Sequence, residues 1–142
     1  MRPNLGFYVQ AINDIVKTTE EIGEKMNPSY EAIRKAIDED KTAEITAEQL
    51  KETVALFSEG TVKYKDMLKQ ISNLRPPAKV MGIHKKFERS YVKYVAGCEE
   101  MTTSLQVEGI DVAAFDASEK KQDEATDEIS FAIQRMTSLL LK

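Results

Sequence analysis

The sequence predicts an all-α protein, an antiparallel up-and-down four-helix bundle, and three observations carry that expectation. Four long segments space their apolar residues by alternating steps of three and four; the separators are short and rich in turn formers; no alternating β-branched run is bounded by hairpin turns. Heptad spacing in all four segments favours shallow helix crossings over globin-like ones. No self-similarity of the solenoid kind is present. Residues 1–142 are therefore expected to form a single domain, long enough to bury roughly two-thirds of the surface its unfolded chain exposes.

The first helix is read from Leu5, Tyr8, Ile12, Ile15, Thr19, Ile22 and Met26. Its phase runs on through Ser29, Ile33 and Ala36, with Tyr30 and Ile37 beside it. Pro28 supplies no N–H and crowds the preceding turn. Because the phase is unbroken across it, one long helix kinked at Pro28 is expected, with two collinear pieces as the rival. Asp38, Glu39 and Asp40 open the first loop, and Thr46 with Gln49 forms a capping box that starts the second helix. That helix carries Leu50, Val54, Phe57, Thr61, Tyr64, Leu68 and Ile71 on one stripe. Gly60 lies within it, at a cost of about 1 kcal/mol relative to alanine. Residues 73–77 make the second turn, because a residue before proline is pushed out of helical angles, and Pro77 suits the first turn of the third helix.

The third helix has the most regular stripe: Val80, His84, Phe87, Tyr91, Tyr94, Cys98, Met101 and Leu105. Both the one histidine and the one cysteine of the chain sit on it. Gly109 is read as its end, and no strand is expected. The fourth helix begins near Asp111 or Asp116, with Val112, Phe115, Ile129, Ile133, Met136 and Leu140 in one phase. Its middle, residues 118–128, is nearly all polar, and the same phase turns Glu119, Gln122 and Thr126 inward. A hydrated or frayed section, a shift of helical phase and a polar pocket are the three accounts of that stretch.

Composition excludes several classes. One cysteine forms no internal disulfide, which fits a reducing compartment. No stretch approaches the roughly 20 apolar residues that cross a bilayer, and the N-terminal residues do not read as a secretory signal. A cytoplasmic location is expected, with export behind a leader absent from this chain as the alternative. Charge is uneven around the net −4: residues 61–93 hold nine basic against two acidic residues, and residues 94–130 hold two basic against ten acidic. Lys79, Lys86, Arg89 and Lys93 share one side of the third helix. In an antiparallel hairpin Arg89 and Lys93 reach the level of Glu124, Asp127 and Glu128, so ion pairing and solvation account for them. An anion site on Lys86, Arg89 and Lys93 is the sharper reading. Binding of nucleic acid is not expected, because an acidic chain with few exposed aromatic residues offers neither accessible positive potential nor a stacking platform.

Catalytic and metal motifs are missing from the sequence. A di-iron bundle uses paired Glu-x-x-His motifs, and Met81 stands three residues before the one histidine. One cysteine and one histidine cannot supply a structural zinc site. Glu20, Glu21 and Glu24 show no distinctive spacing for a divalent cation. No Gly-rich phosphate loop and no nucleophile elbow occur. Cys98 and His84, fourteen residues apart on one helix, stand about 21 Å apart and cannot work as a nucleophile and base. No cofactor and no metal are expected, and Cys98 reads as a small core residue.

Histidine phosphotransfer domains are also four-helix bundles, with an exposed histidine followed by lysine three positions later and then glycine. Here His84-Lys85-Lys86-Phe87-Glu88 places an aromatic and an acid at those positions. The resemblance is superficial, and a degenerate phosphotransfer module ranks below a structural histidine bonded to Tyr8 or Tyr64. A second resemblance rests on Leu74-Arg75-Pro76-Pro77 followed by His84, Phe87, Tyr91 and Tyr94. This segment resembles one recurring in small uncharacterised helical-bundle proteins of Gram-positive bacteria, some of which carry an export or lipoprotein leader. The resemblance implies a helical bundle without an assigned activity and supplies no catalytic residues.

Two functions follow as expectations. The first is a non-enzymatic interaction or scaffold module with a protein partner, or a homodimer through Val9, Val16, Ile83 and Val95, residues that otherwise complete the internal core. The second is binding of a small ligand or anion, with an enzyme ranked below it, at the polar middle of the fourth helix, by Glu119 and Gln122 against Tyr91, Tyr94 and Cys98. A cavity there favours the second; a filled core with an apolar patch outside it favours the first.

Overall fold

A computed structural model describes residues 5–106 and 108–141. The chain forms α1 (Leu5–Asp38), α2 (Ala47–Asn73), α3 (Met81–Ser104) and α4 (Val112–Leu140), with a two-stranded ribbon, β1 (Leu105–Gln106) and β2 (Gly109–Ile110), between α3 and α4. The helices run up and down. Tyr8 near the start of α1, Ile71 near the end of α2, His84 near the start of α3 and Met136 near the end of α4 meet at one end of the bundle. Arg34 near the end of α1 joins Asp116 and Glu119 of α4 at the other. No helix among the described residues is long and apolar enough to cross a membrane.

α1 is a single helix through Pro28. It stops in a Schellman turn: Asp40 takes a left-handed φ of 56°, Lys41 N–H donates to the Ala36 carbonyl at 2.7 Å and Asp40 N–H to that of Ile37 at 3.2 Å. α2 starts on the expected capping box, with Thr46 Oγ1 accepting from Gln49 N–H at 3.0 Å and Gln49 Oε1 accepting from Thr46 N–H at 2.9 Å. After α2, Pro77 flanks a separate 3-10 turn, Ala78–Val80, so α3 begins at Met81 and Pro77 is not in its first turn.

The structure departs from the sequence pattern in three further places. First, α3 ends at Ser104, not at Gly109, and the expectation of no strand fails at β1 and β2. The chain must reverse before α4 starts on Asp111, whose carboxylate accepts from Ala114 N–H at 3.0 Å. Pairing Leu105 with Ile110 and Gln106 with Gly109 satisfies the backbone there, and glycine tolerates the φ of +146° at position 109. Second, Leu5 and Val112, expected on core stripes, are exposed. Third, the buried face of α4 is Phe115, Ser118, Ala125, Ala132 and Met136. Phe115 and Met136 lie on the predicted phase, but between them the stripe is offset by one residue, leaving Thr126 exposed and Ile133 partly buried.

The offset has a steric cause. α4 packs more closely on α3 than any other pair of helices pack, and small residues line the seam. A Cβ on Gly97 would lie 2.7 Å from Gln122 Cγ and 3.3 Å from the Ser118 carbonyl oxygen. Gly60 meets a softer neighbour, the thioether end of Met26. Opposite outcomes are expected on introducing one methyl group. Gly97→Ala should lose about 1–3 kcal/mol by overpacking against helix backbone. Gly60→Ala should stay within about 1 kcal/mol of wild type, because the gain in helix propensity offsets displacement of a flexible side chain. Urea denaturation of the two variants checks this.

The core is in two parts. One cluster, containing Tyr8, Ile15, Tyr64, Ile71, Phe87 and Tyr91, fills the end at which α3 begins. A smaller one, Ile33, Leu50, Phe57, Met101, Leu105 and Phe115, fills the other end. Met26 packs against both.

Candidate functional site

Between the two clusters the seam of α1 and α4 opens. The seam is closed at one end where Tyr8 reaches Met136 at 3.5 Å. At the other end Tyr30 stacks on Phe115 with ring centroids 6.1 Å apart, and Arg34 Nη1 donates to Asp116 at 2.9 Å and Glu119 at 3.2 Å. Between these clasps lies a cleft of about 540 Å³ with Tyr64, Tyr94 and Cys98 on its inner wall and Glu119 and Gln122 on its α4 side. A second, more apolar chamber of about 390 Å³ adjoins it, sharing Gly23, Tyr94 and Thr126 and lined also by Ile15, Phe87 and Ile129.

Each wall follows from local structure. Gln122 sits where α4 crosses Gly97, and its Nε2 donates to the Gly97 carbonyl at 3.2 Å. Its Oε1 accepts from Cys98 Sγ at 3.7 Å. The Tyr94 hydroxyl donates to that of Tyr64 at 3.2 Å, and the two rings meet edge to face with centroids 5.1 Å apart. The Tyr91 hydroxyl pairs with Thr19 of α1 at 2.7 Å. Burial pushes all three phenols upward, so they remain neutral hydrogen-bonding groups. Pro28 lines the cleft and, as a residue without N–H, leaves the Glu24 carbonyl four residues earlier without its helical partner; Glu24 lines the cleft as well.

Glu119 is the electrostatic feature of the site. Its Oε2 takes the Arg34 bond, while Oε1 is buried and is the one side-chain polar atom among the described residues to be buried without a hydrogen-bond partner. Burial, with the charge of Asp123 adding to it, raises its pKa above the usual carboxylate value.

Compared with family models, with curated proteins and with solved structures, the chain matches none of them. The functional reading therefore rests on the residues of the cleft themselves.

Of the residues singled out from sequence, Tyr94, Glu119 and Gln122 come together in the cleft, and Tyr91 lines the adjoining chamber. The basic residues do not converge. Lys93 bridges Glu124 and Glu128, each at 3.2 Å, and these two hydrogen bonds raise its pKa. Lys86 lies over the Phe131 ring, its Nζ 4.6 Å from the centroid, and Arg89 is exposed. His84 stands apart at the end of the bundle. Its Nε2–H donates to the Ile71 carbonyl at 3.1 Å, which leaves Nδ1 to accept from the Tyr8 hydroxyl at 2.7 Å. With both nitrogens bonded and the ring buried, no nitrogen is presented for phosphoryl transfer. Val16 and Ile83 pack on the core and Val95 is buried, so of the four positions considered for a homodimer only Val9 is exposed.

Glu24, Tyr30, Tyr64 and Asp123 complete the cleft and were not selected from sequence as site residues. Pro28 four residues after Glu24 was the one usable signal. No group of three His, Cys, Asp or Glu side chains among the described residues is placed to hold a metal ion.

Burial pushes the Cys98 thiol up to about 12. Since the thiolate is the reactive species, Cys98 should react with an aromatic disulfide reagent at pH 8 about a thousand-fold more slowly in the folded protein than in urea. Absorbance of the released thiol follows both rates.

Proposed function

We propose that this chain is a small-molecule-binding bundle that holds its ligand in the cleft between α1 and α4. The observation that carries the reading is the cleft of about 540 Å³ between two packed clusters, walled by aromatic rings and provided with Glu119 and Gln122 as polar groups. A concave, largely apolar space with few convergent polar groups is the usual form of a ligand site.

The test is a titration with three aryl probes of similar size and different charge: phenyltrimethylammonium, tert-butylbenzene and benzenesulfonate. Saturable shifts of the amide resonances of Gly23, Thr61, Cys98 and Gln122 with at least one probe are expected. Gly23→Leu, which grows a side chain from a point 3.5 Å from the Tyr64 hydroxyl, should keep the helix and abolish them. Absence of cleft shifts with every probe would overturn the reading.

A protein-interaction role is the second reading, supported by the exposed apolar side chains Leu5 and Val9 on α1, Val92 on α3 and Phe131 on α4. Native mass measurement decides it for self-association: a dimer lost in Phe131→Ser or Val9→Ser supports it, and a monomer at all concentrations opposes a homodimer.

A further inference from the structure

Resting on the ligand-binding reading above, we infer that the cleft selects an amphipathic organic cation, an ammonium head with an apolar body. The cavity makes the site, and its lining sets the class. Glu24, Glu119 and Asp123 line the main chamber, and no lysine or arginine does so among the described residues. Arg34 does not neutralise the chamber, because its guanidinium is divided among Asp38 at 3.0 Å, Asp116 at 2.9 Å and one oxygen of Glu119 at 3.2 Å. The second oxygen of Glu119 is left buried and unpartnered. An anion entering the chamber would meet a lining that holds three carboxylates. A neutral ligand would leave that charge unbalanced, whereas a cation balances it.

The aromatic walls point the same way. Tyr30, Phe57, Tyr64 and Tyr94 surround the chamber, and ring faces attract ammonium groups through their quadrupoles, more strongly where water is excluded. The adjoining chamber supplies the apolar part: Ile15, Val16, Phe87, Ile129 and Ile133 line it, and Glu20 is its one charged residue. The two chambers meet at Gly23, Tyr94 and Thr126, so one elongated ligand spans both.

The experiment compares phenyltrimethylammonium with its neutral isostere tert-butylbenzene and with benzenesulfonate, by calorimetry and by amide shifts, on the full chain. Phenyltrimethylammonium is expected to bind about ten-fold tighter than tert-butylbenzene, which corresponds to a charge and cation–π contribution of ordinary size. Glu119→Gln, which can keep the bond to Arg34, should weaken the cation about five-fold and leave tert-butylbenzene unchanged. Asp123→Asn, at an exposed position, should act in the same direction and serves if the first variant is unstable. Cleft shifts with tert-butylbenzene or benzenesulfonate at affinities equal to or better than those of the cation would overturn cation selectivity and leave the ligand-binding reading standing. Cation binding unaffected by both variants would also overturn it. Absence of cleft shifts with all three probes would remove both readings together.

Discussion

Replacement of His84 by alanine should lower the unfolding free energy by about 3–5 kcal/mol, a loss set by buried hydrogen bonds and a new cavity together. The ring is buried at the junction of all four helices, where Tyr8 donates to Nδ1 at 2.7 Å and Nε2–H donates to the Ile71 carbonyl at 3.1 Å. Truncation leaves the Ile71 carbonyl with only the Leu74 N–H, at 3.2 Å, and Tyr8 with only the Met136 sulfur at 3.5 Å. It also removes edge contacts to Phe87, whose ring centroid is 6.4 Å away. His84→Gln, which can still donate to Ile71, should recover part of the loss. Guanidinium unfolding of the three proteins separates these contributions, and a His84→Ala protein as stable as wild type would contradict the account.

The same histidine makes stability depend on pH, with a definite sign. Burial lowers the pKa of His84 below 6.5, against smaller opposing effects of the Ile71 bond and of Glu88. Below about pH 6.5 the unfolded chain takes up a proton that the folded chain resists. The contribution of His84 is thus complete above that pH and is lost as pH falls through the folded value. Between pH 7.5 and 5.5 the wild type should lose more stability than His84→Gln does.

Phe115→Ala should cost about 3–5 kcal/mol and lower Tm by about 10 °C or more. Phe115 is fully buried in the smaller cluster, stacked on Tyr30, with the Arg34 guanidinium carbon 5.4 Å from its ring centroid. Removing the ring takes away the platform that orients Arg34, and with it the clasp to Asp116 and Glu119. The cleft should therefore gain solvent access as the protein loses stability. Faster exchange of Glu119 and Gln122 side-chain environments, seen by NMR alongside calorimetry, checks both effects. A variant that melts within about 2 °C of wild type would show that the smaller cluster does not depend on this ring.

Large apolar residues were legible in the sequence because their spacing is the packing. Val80, His84, Phe87, Tyr91, Cys98, Met101 and Leu105 are all buried on one stripe as read. The Thr46 and Gln49 box was legible for the same reason, since its chemistry is local. α4 was harder: its true inner face is marked by Ser118, Ala125 and Ala132, and small residues at a tight seam leave almost no hydropathic trace. The polar stretch that remained ambiguous combines two of its three accounts, a shift of phase and a polar wall. Glu119 and Gln122 were placed at the cleft, but Glu24, Tyr30 and Asp123 belong to it through the spacing of α1 from α4. That spacing is a property of three dimensions, and no periodicity along one helix encodes it.

The division of the interior into two clusters joined through Met26 bears on how the molecule comes apart. A bundle with one continuous interior melts as a unit, whereas here Met26 is the one apolar side chain among the described residues packed against both clusters, beside the small-residue seam of α3 and α4. Amide-exchange protection should accordingly fall into two blocks, with the end that holds Tyr64 and Phe87 outlasting the end that holds Leu50 and Phe115. An occupant of the gap would act as a keystone, merging the two blocks into one cooperative unit.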